Sequence, residues 1–278
     1  MDRYLRPTTL EAALQALADH KRSVLAGGTD HFPLRANRPR DESVLDITGL
    51  PDLRLITPRD DGWWIPCLAT WTSILTTLLP ACFDGLKIAA RQVGGRQIQN
   101  AGTVVGNICN ASPAADGVPC LLALDASVEL ASASGRRSVR LADFITGPRC
   151  SLIRPDELVL GLHVPTQDGV ASFEKLGGRA YLVISIVMVA AWARLDQGRI
   201  VAARIAVGAC GPRATLLPSL AAALIGQRPA SAEIDPRHLE ALTPIDDIRA
   251  PADYRKTAAL ELIRRAIHAL DRPVALAA

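Results

Sequence analysis

Two stretches of this sequence combine residue types that could hold an anion. In the first, Leu25, Ala26, Gly27, Gly28, Thr29, Asp30 and His31 set two glycines between a short apolar run and a Thr-Asp pair. Glycine tolerates backbone angles closed to other residues and lets a ligand come close to the main chain, so such a corner after a strand can aim several N–H groups at an anion. In the second, far along the chain, Thr103, Val104, Val105, Gly106 and Asn107 make another glycine-bearing turn. Two such corners from different lobes could close on one diphosphate. Backbone amides are fixed dipoles that need no counter-ion of their own, and Thr29, Thr103 and Asn107 add side-chain donors. Neither corner matches the GxGxxG fingerprint or the P-loop pattern, so a nucleotide here would not be held in the Rossmann manner.

Other candidate chemistry is thin. Cys67, Cys82, Cys109, Cys120, Cys150 and Cys210 are dispersed, with no CxxC pair and no histidine at metal-ligand spacing. They read as buried free thiols, and their spacing speaks against an iron–sulfur cluster or other metal housed in this chain. His31 reads as an ordinary loop histidine, and Trp63-Trp64 as hairpin packing.

The elements that must position the corners can be read in order. Thr8 and Glu11 form a capping box opening a helix whose Leu10, Ala13, Leu14 and Leu17 make one apolar face. SVLAGG and residues 44–48 read as strands. Two strand-like runs follow, turning at Asp60, Asp61 and Gly62. Thr70 or Thr72 can cap a helix that Pro80 stops, and GLKIAARQVGG gives another, ending at Gly94-Gly95. QIQNAGTVVGNICNASPAADGVPCLLALDA, without a clean period in its first half, reads as a long ordered loop followed by a buried helix. A hairpin turning near Ser134-Gly135 and an alternating strand, DELVLGLHVP, complete the middle region. After Pro165 come one strand, a long hairpin turning at residues 196–198, and two helices; the last places Ala259, Leu262, Ile263, Ala266, Ile267 and Leu270 on one face with arginines opposite. The domains expected are 1–55, 56–168 and 169–278, in an α+β chain.

Composition bounds the function. A chain of 278 residues, 49% hydrophobic, can bury one large core or several modest ones. Thirty-one Lys+Arg against twenty-eight Asp+Glu leave a net charge of +3, scattered rather than gathered into the basic stripe that nucleic-acid binding requires. No apolar run reaches membrane-span length, and the N-terminus lacks the apolar region of a signal peptide, so a cytoplasmic location is expected.

AGGTD, then QIQNAGTVVGNICNASPAADGVPCLLALDA, then EKLGGRAYLVISIVMVA, in that order along nearly the whole chain, resemble the FAD-binding subunit of the xanthine dehydrogenase and carbon monoxide dehydrogenase family, the molybdenum hydroxylases. The resemblance implies a two-subdomain flavin-binding fold of the PCMH type with FAD between the subdomains, plus a C-terminal α+β domain of antiparallel sheet and helices. It implies a heteromeric complex, in which a molybdopterin-containing large subunit oxidises substrate and a [2Fe-2S] small subunit passes electrons to this flavin. Carried over by position, residues 25–31 would wrap the FAD diphosphate and residues 103–107 would do so from the other side. Asp116 would hydrogen-bond the sugar part of the cofactor, Val159 would meet it through its main chain, and Val93 would stand beside it. Lys175 would lie near the isoalloxazine ring, where a cation favours the anionic reduced flavin.

This sequence departs from the family pattern in places. Val105 occupies the first of two usually adjacent glycines, and Gln99 replaces a commonly basic residue. Leu182 and Val183 stand where acidic residues follow the arginine matching Arg179 in the eukaryotic xanthine dehydrogenases, so the field and access around the flavin should differ and the acceptor is NAD or another molecule. Taken from the residues alone, Asp116 also fits a helix N-cap and Lys175 a solvent-facing strand position. Two other functions fit the same stretches: a stand-alone flavin oxidoreductase with its own small substrate, or a scaffold that keeps the fold without the cofactor.

Overall fold

The computed structural model describes residues 3–33 and 42–271. Residues 1–2, 34–41 and 272–278, which the expected segments 1–55 and 169–278 include, lie outside the described residues.

The first unit comprises β1 (Tyr4–Leu5), α1 (Leu10–Asp19), β2 (Ser23–Leu25) and β3 (Val44–Asp46), with β3 between β1 and β2 and parallel to both. The cap of α1 is Thr9 rather than Thr8: its hydroxyl accepts from the Ala12 N–H at 3.3 Å. The helix therefore starts one residue later than the pattern predicts. Glu11 falls in the first turn, where its charge suits the helix dipole, and not at the reciprocal capping position.

The second unit is a five-stranded antiparallel sheet with helices on it. β4 (Thr57–Arg59) and β5 (Gly62–Pro66) form the expected hairpin. Thr70, not Thr72, caps α2 (Trp71–Thr76) in a reciprocal capping box with Ser73. After α3 (Asp84–Gln92), most of the stretch expected as a loop is helical instead, as α4 (Arg96–Ala101) and α5 (Val104–Asn110), and the buried helix expected after it is α6 (Gly117–Ala123). The first two span six and seven residues, about two turns each, too short for a 3.6-residue period to declare itself. β6 (Ser127–Ser132), β7 (Gly135–Arg140), the short α7 (Leu141–Phe144), the small pair β8 (Ile145–Gly147) and β9 (Cys150–Ser151), and β10 (Leu158–Pro165) follow. The sheet order is β4-β5-β10-β6-β7. β10, at its centre, is buried almost throughout, as a strand flanked on both edges must be.

The third unit is a meander of β11 (Val170–Leu176), β12 (Val187–Asp196), β13 (Arg199–Gly208) and β14 (Thr215–Leu216), with α8 (Pro218–Ala223) and α9 (Ala252–Ala269). Along β12 the side chains alternate between two cores. Met188, Ala190 and Trp192 pack with the helices and sheet of residues 13–164, while Val187, Val189, Ala191 and Ala193 pack with α8 and α9. Burial on both faces explains why this strand reads as a continuous apolar run. Its hairpin turns through Gln197 and Gly198, both with positive φ, the geometry that matches the twist of paired strands. The apolar face of α9 is as expected, but one arginine is not opposite it: Arg255 is buried. Its guanidinium donates to the carbonyls of Ile186, Ala209 and Ala250 and to Asp247, so every nitrogen of the buried charge has an acceptor.

Among the described residues, no helix is long and apolar enough to cross a membrane, and no cluster of three or more His, Cys, Asp or Glu could hold a metal ion.

Candidate functional site

The two glycine corners touch. A Cβ on Gly27 would fall 1.9 Å from the carbonyl oxygen of Ala101, and one on Gly102 would lie 3.2 Å from the Thr29 hydroxyl. Only glycine lets the backbone of the first corner rest on the turn between α4 and α5. Gly28, with φ of +72°, supplies the left-handed step that turns the chain after β2. The N–H groups of Gly27, Gly28, Thr29 and Asp30 donate to no protein acceptor among the described residues. In the second corner most donors are used: Val104 N–H bonds the Ala69 carbonyl at 3.0 Å, and Thr103 caps α5 by accepting from Gly106 N–H at 3.0 Å. The Val105 N–H stays free.

A cleft of about 680 Å³ opens beside these corners. All the site residues expected from sequence line it except two, Leu25, the last residue of β2, and Val104, which is fully buried. Ala26, Gly27, Gly28, Thr29, Asp30 and His31 form one wall, and Thr103, Val105, Gly106 and Asn107 form the next. His31 stands edge-on to Phe32, with ring centres 5.3 Å apart. Val93 closes one side as the residue ending α3. Val159 lines the cleft at the bulge where β10 slips register against β6.

Asp116 and Lys175 are brought together from different domains. Lys175 Nζ lies 2.6 Å from Asp116 Oδ2, both side chains almost wholly buried, and the Ser185 hydroxyl donates to Asp116 Oδ1 at 2.5 Å. This geometry replaces both simple sequence alternatives. Asp116 has a helical backbone and makes no capping bond, and Lys175 does not face solvent. Burial pushes the Asp116 carboxyl up from its ordinary value, opposed by the Lys175 cation and by the hydrogen bonds from Lys175 and Ser185. Glu157, also on the wall, is held below the ordinary carboxylate range, chiefly by Arg137, whose Nε and Nη2 bond its two oxygens at 2.6 and 2.8 Å. Cys67 and Cys109 line the cleft with thiols pushed up to about 12 by burial, so neither is a thiolate at neutral pH.

Sequence reasoning missed Trp71, Gln92, Ile98, Asn110, Arg149 and Ser185, all on the wall. Ile98, Asn110 and Ser185 fall inside the stretches that carry the family resemblance, but no local spacing marks any of the six.

The donor set fits a dinucleotide. Five backbone N–H groups without an acceptor among the described residues belong to cleft-lining residues beside touching corners, a supply of donors that suits a diphosphate. Asn107 Oδ1 is buried without a hydrogen-bond partner, an acceptor left for a ligand hydroxyl or amine. The cleft volume is in the range of cofactor sites. Together the fold and the cleft define a dinucleotide-binding protein whose cleft is completed by residues of a C-terminal α+β unit.

The comparisons with known proteins agree. Residues 1–167 match the family model of the FAD binding domain in molybdopterin dehydrogenase, and residues 172–270 match that of the CO dehydrogenase flavoprotein C-terminal domain. The chain belongs to this family of FAD-binding subunits of molybdenum hydroxylases. It is 36% identical over 217 residues to the xanthine dehydrogenase FAD-binding subunit of Escherichia coli O157:H7, covering 75% of this chain and 74% of that one. It is 29% identical over 282 residues to the nicotine 6-hydroxylase medium subunit of Paenarthrobacter nicotinovorans, covering 95% of each. In structure it is similar to a carbon monoxide dehydrogenase from Hydrogenophaga pseudoflava that lacks the Mo-pyranopterin moiety of its cofactor, with a TM-score of 0.88, 25% identity and 96% of each chain covered.

Proposed function

We propose that this chain is the electron-transfer subunit of a molybdenum hydroxylase complex, taking electrons from a [2Fe-2S] small subunit and passing them through FAD to NAD or another external acceptor. The substrate would bind a molybdopterin-containing large subunit. The observation that carries this reading is the pair of touching glycine corners, whose residues bear unused N–H groups and line a cleft walled at another point by the Lys175–Asp116 pair. Relatives named as medium subunits and medium chains support the assembly. The division into residues 1–55, 56–168 and 169–278 and a cytoplasmic location belong to the same proposal.

Each wall has its own task. The first corner, Ala26 to Asp30, would receive the diphosphate on backbone amides, with Val105 N–H and the Thr29 hydroxyl adding donors. Val159 and Val93 would hold the cofactor by contact. Lys175, kept in place by Asp116 and Ser185, would set the positive potential at the redox-active part. FAD when bound supplies the exchange between one-electron and two-electron carriers. No side chain need act as acid or base. Asp116 and Glu157 are spent on basic partners, which favours this role over that of a stand-alone oxidoreductase needing a proton donor at the flavin.

The purified chain should be yellow and release non-covalent FAD on denaturation, and it should co-purify with a molybdenum-containing chain and an iron–sulfur chain. A colourless protein that FAD cannot reconstitute would overturn the proposal. Lys175→Met should move the midpoint potential of the bound flavin downward by about 30 mV, corresponding to roughly 1.4 kcal/mol for a two-electron couple. Spectroelectrochemistry reads this directly, and an unchanged potential would remove Lys175 from the flavin's surroundings.

A further inference from the structure

Arg149 lies outside every motif read from the sequence and has no part in the function proposed above, yet its surroundings are unusual. It sits in the turn between β8 and β9 with φ of +60°, a backbone region that side chains disfavour. Its N–H donates to the carbonyl of Ala111 at 2.9 Å, and Ala111, which ends α5, has φ of +47°. Two non-glycine residues in the left-handed region therefore meet beside the cleft. Such backbones persist only where the surroundings hold them, and they gather at ligand sites.

The side chain of Arg149 is held at one edge. Nη1 donates to the main-chain and side-chain oxygens of Asn110. Asn110 Nδ2 in turn donates to Asp30 Oδ2 at 2.6 Å. Asp30, Asn110 and Arg149 thus form a clasp running from the first glycine corner to the turn between β8 and β9, and all three line the cleft. The Nε and Nη2 donors of Arg149 have no acceptor among the described residues. These two atoms form the edge of a guanidinium that pairs side by side with two oxygens of a phosphate or carboxylate. The cleft's lysine is already paired with Asp116, whereas Arg149 has no carboxylate partner among the described residues.

We propose that Arg149 is a diphosphate-recognising residue of this cleft, aimed by Asn110 and by its left-handed backbone, and that it supplies the counter-charge that the backbone amides cannot. The assignment rests on the FAD reading of the cleft. It makes Arg149 a discriminator for ligands carrying the ADP half, with no effect on those carrying only the flavin ring.

The test uses the whole chain, in its complex where it purifies as one, stripped of flavin and titrated with FAD, ADP and riboflavin at low and moderate salt. Arg149→Gly suits the left-handed position and should leave the melting temperature equal or higher. It should weaken FAD and ADP at least tenfold, flatten the salt dependence of ADP binding, and leave riboflavin binding unchanged. Arg149→Lys should recover only part of the loss, because a point charge cannot pair side by side. A merely structural arginine would not give a more stable protein with poorer ADP binding. Equal FAD and ADP affinity in Arg149→Gly overturns the assignment, as does an equal loss of riboflavin. Should the glycine variant fail to fold, salt-independent ADP binding by the wild-type chain overturns it as well. A wild-type chain that takes up no FAD defeats the cleft reading and this assignment together; a wild-type chain that takes up FAD beside an unimpaired variant defeats the assignment alone.

Discussion

Gly27→Ala is expected to lose at least a hundredfold in FAD affinity while the chain still folds. The added methyl would lie 1.9 Å from the Ala101 carbonyl oxygen and 2.7 Å from its carbon, both backbone atoms that cannot rotate away. One side must move. The turn at Ala101 is fixed by α4, by the Gly102 N–H bond to Ile98 at 2.7 Å and by the Trp71 N–H bond to Gly102 at 3.2 Å. The first corner has four unbonded amides and yields instead, carrying its donors away from the second. Overpacking of this kind costs about 1–3 kcal/mol of stability, too little to unfold a domain of this size. The loss of converging donors falls on binding. Gly28→Ala should do less harm: it carries the strain of a left-handed φ of +72°, about 1–2 kcal/mol, but the atom its methyl meets, at 2.7 Å, belongs to the ring of Phe32, an exposed side chain free to swing out. Flavin content by absorbance and Kd by fluorescence titration compare the two. Stoichiometric FAD with unchanged affinity in Gly27→Ala would show that contact between the corners is irrelevant to the cofactor.

Removing Arg255 is the second large effect. Arg255→Met should destabilise the chain by roughly 3–5 kcal/mol, because it strips donors from the carbonyls of Ile186 and Ala209 and leaves Asp247 with one arginine. The damage should reach the cofactor. Arg255 Nη1 holds the Ile186 carbonyl and Arg249 Nη1 holds that of Ser185, each at 2.8 Å, while the Ser185 hydroxyl holds Asp116 and, through it, Lys175. The wall bearing Lys175 is thus anchored on α9 and the segment before it.

The same cluster gives a pH signature. Hydrogen bonds from Arg249, then its charge and that of Arg255, hold the Asp247 carboxyl far below its ordinary value, against a smaller opposing effect of burial. In the unfolded chain an aspartate takes up its proton near pH 4. The unfolded state therefore binds the proton first as pH falls, so this contribution is complete above about pH 4 and is lost progressively below it. Asp247→Asn should lower stability at pH 7 and flatten the acid limb of a melting-temperature profile. An acid limb identical to wild type would remove Asp247 from this role.

Some elements were legible because their signals are local. The face of α9 and the two-residue turn at Gln197-Gly198 follow from periodicity and from the residue types that tolerate positive φ. Helices α4 and α5 were not legible, since each is too short to show a period and is stabilised by its neighbours. Of the site, the glycine corners were legible as motifs. Family resemblance put Asp116 and Lys175 separately beside the cofactor, but their partnership with each other was not legible, and nothing in the local sequence around Ser185, Asn110 or Arg149 assigned them a role.

By itself, the sequence determined the glycine corners, the hairpins and the apolar face of α9, because each depends on a residue's own backbone freedom or on near neighbours. Tertiary structure alone decided that Gly27 rests on Ala101, that a lysine of β11 neutralises an aspartate preceding α6, and that an arginine of α9 is buried. These pairings join residues far apart in the chain. Their energies come from desolvation and from hydrogen bonds completed across domains, which a linear reading of residue types does not contain.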